Sequence, residues 1–156
     1  MKIGIISDSH DHKENIIKAV ECFNGEFVDL VIHAGDIVAP FTISEFKNLN
    51  SKMTAVFGNN DGERLGLKMV FDIQVPPIEL TLDDKKFIVM HEPLNLNALK
   101  KCNYYNVIIY GHSHNPVIEK GETIVINPGE SCAWLTGKAT VAILDTISMA
   151  TKIIEL

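Results

Sequence analysis

The sequence predicts an α/β fold with two sheets and helices outside them, and three observations lead there. The first third alternates apolar runs with stretches of helical periodicity, a β-α-β-α-β order that implies parallel strands joined by right-handed crossovers. After Pro76-Pro77 the segments become short and are separated by turn pairs, the style of antiparallel strands. Five of the apolar runs end on a residue able to ligate a cation, which places a site at the strand C-terminal ends.

Taken in order, Lys2 to Ser7 reads as a buried strand rich in β-branched residues, with Gly4 admitting a close neighbour. Asp11 to Phe23 places Ile16, Ile17, Ala19, Val20 and Phe23 at helical spacing, and Asn24-Gly25 closes that helix. Val28 to Ala34 is the second strand. Pro40 to Leu49 is the second helix, with the proline suited to its first turn, and Met53 to Phe57 is the third strand. Ile78 to Leu82 alternates apolar and polar residues, then Asp83-Asp84 turns the chain into Lys86 to Met90, a hairpin. Leu94 to Lys101 is a short helix and Val107 to Tyr110 a further buried strand. Val117-Ile118, Thr123 to Ile126, Ala139 to Leu144 and Met149 to Ile154 are short strands of an antiparallel second half.

The totals narrow the function classes. At 156 residues, 46% hydrophobic and 22% charged, the chain is expected to form one globular domain over residues 1–156. A formal charge of −6 disfavours long nucleic acids, though not a compact anion that meets bound cations. No apolar stretch has membrane-spanning length, and the first residues form a strand rather than a signal peptide. Three cysteines without a C-x-x-C pair point to a reducing compartment, so a cytoplasmic location is expected.

The most informative stretch is Tyr110-Gly111-His112-Ser113-His114, two histidines one small residue apart just after a strand. Gly111 is expected to let the chain turn so that both histidines reach an ion. With Asp8, His10, Asp36, Asn59 and His91 they form a set of imidazoles, carboxylates and one amide oxygen at strand ends. Such a mixed N/O set suits Mn²⁺, Fe²⁺, Co²⁺, Ni²⁺ or Zn²⁺. Seven ligands exceed what one ion with an open position needs and suit two. Two ions ~3.5–4 Å apart stabilise the attacking and leaving oxygens of a phosphoryl displacement.

Asp8-x-His10, Gly35-Asp36, Gly58-Asn59-x-Asp61, His91 and Gly111-His112-x-His114 resemble, in order, the five signature motifs of the calcineurin-like metallophosphoesterase superfamily. With its short length and Asn127-Pro128-Gly129, the chain is most similar to the small bacterial and archaeal phosphodiesterases related to the retromer scaffold subunit. The resemblance covers essentially the whole chain and implies a four-layer α-β-β-α sandwich with two mixed sheets. It also implies two divalent ions, Mn²⁺ foremost with Ni²⁺, Co²⁺, Fe²⁺ and Zn²⁺ as alternatives. Asp8, His10 and His114 would hold one, Asn59, His91 and His112 the other, and Asp36 would bridge. A metal-bridging hydroxide would then attack a small phosphodiester. Small members of the family often self-associate, so a homo-oligomer is part of the expectation.

Two positions depart from the family pattern. Many members have histidine after the third-motif asparagine, where this chain has Asn60, an amide that cannot act as a general acid. Asn60 remains a candidate to hydrogen-bond a phosphoryl oxygen, and Asp61 reads equally as a turn residue and as an electrostatic helper. Glu130 stands where the family often has serine. His33 is expected beside Asp36, His12 in solvent at the first helix, and Cys132 near the pocket. Glu92 is either an acceptor behind His91 or solvated. Trp134 and Leu135 mark either an oligomer contact or a cap on the core. A phosphomonoesterase and a non-catalytic scaffold are the competing functions, and retention of every ligand position argues against the scaffold.

Overall fold

A computed structural model describes residues 1–70 and 72–156. Sheet one has the order β11-β10-β1-β2-β3-β4, built from β1 (Lys2–Ile6), β2 (Leu30–His33), β3 (Lys52–Val56), β4 (Ile73–Gln74), β10 (Thr140–Asp145) and β11 (Thr151–Glu155). Sheet two has the order β5-β6-β7-β9-β8, from β5 (Ile78–Leu82), β6 (Lys85–Val89), β7 (Val107–Ile109), β8 (Pro116–Glu119) and β9 (Ile124–Pro128). Among the described residues four α-helices lie outside: α1 (Lys13–Gly25), α2 (Ile43–Phe46), α3 (Arg64–Val70) and α4 (Leu96–Lys101).

Alternation along the strands explains the layering. Ile3, Ile5, Ile32 and Val56 of sheet one face Phe87, Val89, Val107 and Ile126 of sheet two, forming the central core. The opposite face of sheet one carries Ile6, Val31 and Ile143 against Ile16, Ala19, Val20 and Phe23 of α1. A Cβ at Gly4 would sit 2.7 Å from the Phe23 ring, so the glycine is what lets α1 pack this closely. Ile88, Ile108 and Val125 on the outer face of sheet two are covered by Leu96 and Leu99 of α4. The result is the expected α-β-β-α stack.

Several local expectations need correction. The second half is not uniformly antiparallel: β6, β7 and β9 run parallel, while β10 leaves this sheet to pair antiparallel with β1. The buried runs of β7 and β9 are apolar on both faces, the mark of parallel strands covered on both sides. Helix α1 ends at Gly25 as expected, while the left-handed residue that follows it is exposed Phe27, at φ 54°. The second helix breaks into a 3₁₀ turn, Pro40–Thr42, followed by α2, which ends at Phe46. Helix α3 and strand β4 escaped the sequence reading, since α3 carries a central Gly66 and buries only Leu67. Gly66 packs against Pro40, where a Cβ would come within 2.7 Å of the ring.

No helix among the described residues is long and apolar enough to cross a membrane.

Candidate metal centre

The loops after β1, β2, β3, β6 and β7 meet at one edge of the two sheets and carry all seven candidate ligands. Backbone hydrogen bonds stitch them together: Asp8 N–H donates to the Gly35 carbonyl at 3.0 Å, His10 to Asp36 at 3.1 Å, and Gly111 to His91 at 3.0 Å. Cys132 N–H donates to the Asp8 carbonyl at 3.1 Å, which ties in the loop after β9. Asp8, His10, Asp36, His112 and His114 all have positive φ, between 41° and 66°. L-residues hold such angles at a cost of order 1–3 kcal/mol each and keep them only where surroundings over-determine them. Five of the fourteen described non-glycine residues with positive φ are candidate ligands.

The ligand atoms form two adjoining groups. In one, Asp8 Oδ1 lies 3.4 Å from His114 Nε2 and 3.9 Å from His10 Nε2. In the other, Asn59 Oδ1 lies 3.0 Å from His91 Nε2 and 2.9 Å from His112 Nδ1. Asp36 Oδ2 stands between them, 3.5 Å from His10 Nε2 and 3.3 Å from His91 Nε2. All seven sequence candidates are therefore at one place.

Proton bookkeeping shows what this place suits. His91 Nδ1 faces the Ala34 carbonyl at 2.8 Å, which can only accept, so Nδ1 carries the proton and neutral Nε2 presents a lone pair. That lone pair points at the oxygens of Asn59 and Asp36. His114 repeats the pattern, with Nδ1 on the Glu130 carboxylate at 2.7 Å and Nε2 toward Asp8. Asp8 Oδ1 and His10 Nε2 are buried and have no hydrogen-bond partner among the described residues. Converging acceptors without donors fit cations, and the outer partners on His91 and His114 are those that orient metal-binding imidazoles.

The electrostatics describe the alternative proton placement, in which His91 carries a second proton and its Nε2 donates to Asp36. Burial pushes the Asp8 carboxyl above the ordinary aspartate range, although the Ser7 hydroxyl, 2.5 Å away, opposes it. Burial would do the same to Asp36, but hydrogen bonds from His91 and Asn60 prevail and hold it well below that range. Burial resists charging His91, yet the Asp36 carboxylate wins and raises its pKa. Burial lowers His33 to about 3. That neutral ring accepts from Gly35 N–H at 3.2 Å and so donates through Nε2 to Ser9 Oγ at 3.0 Å, bracing the first two loops.

The two candidate catalytic side chains are both bound to the loops around Asp36, Asp61 in the turn role that was one of its two readings. Asn60 donates to both Asp36 oxygens, from its backbone at 2.8 Å and its amide at 2.7 Å, rather than facing a substrate oxygen. Asp61 is buried and accepts backbone N–H groups of Gly58 at 2.6 Å, Val38 at 2.7 Å and Asp36 at 3.1 Å. Its carboxylate holds the second loop to the third. His12 is half-buried and caps α1 by accepting from Asn15 N–H, and Glu92 is exposed.

Sequence reasoning left two neighbours without a role. Glu130 is fully buried and accepts from His114, from the backbone of Trp134, Leu135 and Thr136, and from the Thr136 hydroxyl. Burial alone would raise its pKa, but these donors bring it down to about 2. The missed signal was a carboxylate preceding a loop, Ser131 to Lys138, whose backbone N–H groups could wrap it. Cys132 Sγ lies within 4.8 Å of ligand nitrogens of His10 and His114, and burial drives its thiol to about 12. Trp134 is exposed and stacks on His10, ring centroids 5.4 Å apart, so it borders the site rather than capping the core.

Gly111 is required for space, not for a left-handed turn. Its φ is not positive, but a Cβ there would overlap the Ser7 hydroxyl and lie 2.9 Å from Asp8 Oδ2. Gly111→Ala is expected to destabilise the protein by about 2–4 kcal/mol, because the crowding atoms belong to a fixed loop. Urea unfolding measures this, and an unmoved midpoint would contradict it.

Stacked mixed sheets with paired carboxylate and imidazole ligands along one edge define a metal-dependent phosphoesterase domain. The chain belongs to the calcineurin-like phosphoesterase superfamily, whose domain model matches residues 1–149. It is 49% identical over 155 residues to phosphodiesterase MJ0936 of Methanocaldococcus jannaschii, covering 94% of this chain and 93% of that one. It is 30% identical over 147 residues to phosphodiesterase YfcE of Escherichia coli, covering 83% and 78%. A solved archaeal phosphodiesterase superposes with TM-score 0.94 and 46% identity over the whole of both chains. Vps29 from Entamoeba histolytica, at TM-score 0.69 and 14% identity over 100% and 98% of the chains, shares the fold.

Proposed function

We propose that this chain hydrolyses small phosphodiesters with two divalent cations, Mn²⁺ foremost, at the strand-end site. Asp8, His10 and His114 would hold one, Asn59, His91 and His112 the other, and Asp36 would serve both. The observation that carries the reading is Asp36 Oδ2, within 3.5 Å of a histidine nitrogen from each group. Family membership and the phosphodiesterase names of the relatives support the diester over the monoester. The shared core between the sheets supports one domain over residues 1–156.

Bound cations supply Lewis acidity toward phosphoryl oxygens and lower the pKa of a water nucleophile. The chain's own residues fix the geometry. Asn60 and Asp61 are positioning residues, the first locking the rotamer of Asp36 and the second anchoring the loop that bears it. With Asn60 turned to Asp36, no side chain at that position protonates the leaving oxygen, assistance otherwise worth ~10²–10⁴-fold.

The expected result after reconstitution with Mn²⁺ is turnover of aryl diesters at least about 100-fold faster than of alkyl diesters, with aryl monoesters slower than the diesters. His112→Ala should abolish most of it. Equal rates for aryl and alkyl diesters would sink the missing-acid argument, and activity surviving His112→Ala would sink the two-cation site. Inactivity with Mn²⁺, Ni²⁺, Co²⁺, Fe²⁺ and Zn²⁺ alike would favour a scaffold.

A further inference from the structure

A groove of about 490 Å³ opens directly from the Asn59–His91 end of the metal centre, between β6, the loop before β5 and the start of α3. Its lining is mostly apolar. Phe57 and Met90 are buried lining residues, while Val75 and Leu94 line it with 63% and 64% of their surface exposed. Large exposed aliphatic side chains beside a polar centre mark a binding surface rather than a core. Nothing in the metal chemistry requires them.

We propose that this groove is a specificity subsite that takes a flat, uncharged, aromatic substituent carried on an ester oxygen of the phosphodiester. The inference rests on the phosphodiesterase reading above and adds what the substrate carries beyond phosphorus. Continuity argues for it, since Asn59 and His91 line both the groove and the cation site, so a group attached to phosphorus there has the groove as its neighbour. Charge argues for it as well. Among the described lining residues Arg64 and Glu92 are the only Lys, Arg, Asp or Glu, one of each sign, which suits a neutral occupant rather than a second phosphate. Arg64 is held in place, its guanidinium 5.1 Å from the Phe57 ring centroid and its Nε donating to the Asp61 carbonyl at 3.3 Å. A guanidinium stacked on a ring at a groove wall presents a planar face of the kind aromatic groups pack on. The volume accommodates one or two fused rings and far exceeds a methyl group.

The test holds the leaving group constant so that its pKa plays no part. Methyl, phenyl and 2-naphthyl esters of 4-nitrophenyl phosphate all release 4-nitrophenol and differ only in the other substituent. The expected result is a kcat/KM about tenfold higher for phenyl than for methyl, carried mainly by KM and larger again for naphthyl, the size expected for half-burying one ring. Val75→Asp with Leu94→Asp, both at exposed positions, should bring the phenyl-to-methyl ratio below about threefold. A ratio near one in the unmodified protein, or a ratio retained in the double variant, overturns the subsite while leaving the hydrolase reading standing. If no ester is turned over, the hydrolase reading fails and the groove is judged by affinity. Calorimetry with Mn²⁺ compares methyl phenylphosphonate with methyl methylphosphonate, unreactive anions shaped like a diester. A tenfold preference for the phenyl compound that is lost in the double variant supports the groove; equal or absent binding overturns it.

Discussion

Asp36→Asn is expected to lower kcat on an aryl phosphodiester at least about 10³-fold while the protein stays folded. The size follows from the position: one oxygen of this residue faces both ligand groups, so the substitution removes a negative charge from each at once. A second effect compounds it. The Asn60 amide donates to Asp36 Oδ2, and an introduced asparagine that keeps its carbonyl toward Asn60 N–H must set NH₂ against NH₂. The loop carrying Asn59 would shift with it. Cation stoichiometry by calorimetry and activity on one ester separate the readings: loss of one tight site together with activity supports a shared carboxylate. Two retained tight sites with full activity would remove Asp36 from the mechanism.

Glu130→Ala is expected to cost about 3–5 kcal/mol of stability and to weaken cation binding about 10–100-fold. The buried carboxylate takes N–H groups from Trp134, Leu135 and Thr136, the Thr136 hydroxyl, the Cys132 thiol and His114 Nδ1, so truncation leaves six donors without this acceptor. The cation effect has another origin, because Glu130 fixes the His114 ring with Nε2 toward Asp8. For a chain of this length the melting temperature should fall by about 10 °C. Glu130→Gln separates the two effects: it keeps a carbonyl for part of the loop but loses the charge that strengthens the His114 bond. If Glu130→Ala melts with the unmodified protein and binds Mn²⁺ equally well, Glu130 is an ordinary loop residue.

Legibility in the sequence followed the strength of the local constraint. The buried strands were readable because β-branched runs between turn residues have few alternatives, and the ligand positions were readable because each run ended on one. Helix α3 was not readable: Arg64–Val70 buries a single residue around a glycine whose purpose, contact with Pro40, is tertiary. The direction of β7 and β9 was only half visible, since runs apolar on both faces show a strand covered on both sides but not which neighbour it pairs with. Outer-shell partners were the least visible. Ala34 acts through a carbonyl that any residue has, and Glu130 acts through a loop that closes around it. Asn60 was visible as a missing acid, but its attachment to Asp36 needed coordinates.

The order of sheet one has a consequence for synthesis on the ribosome. β1 lies between β2 and β10, so it is completed on one side by a strand made long after it. Ser7 and Asp8, at the end of β1, accept backbone N–H groups from Ser131 and Cys132. At translation rates of about 5–20 residues per second, roughly 7–30 s separate emergence of the two partners. During that interval the nascent chain can pair β1 with β2 and β3 but exposes the other edge of β1, a parallel-sheet template open to other chains. The seven candidate ligands lie between residues 8 and 114, so all of them are made before β10 covers that edge.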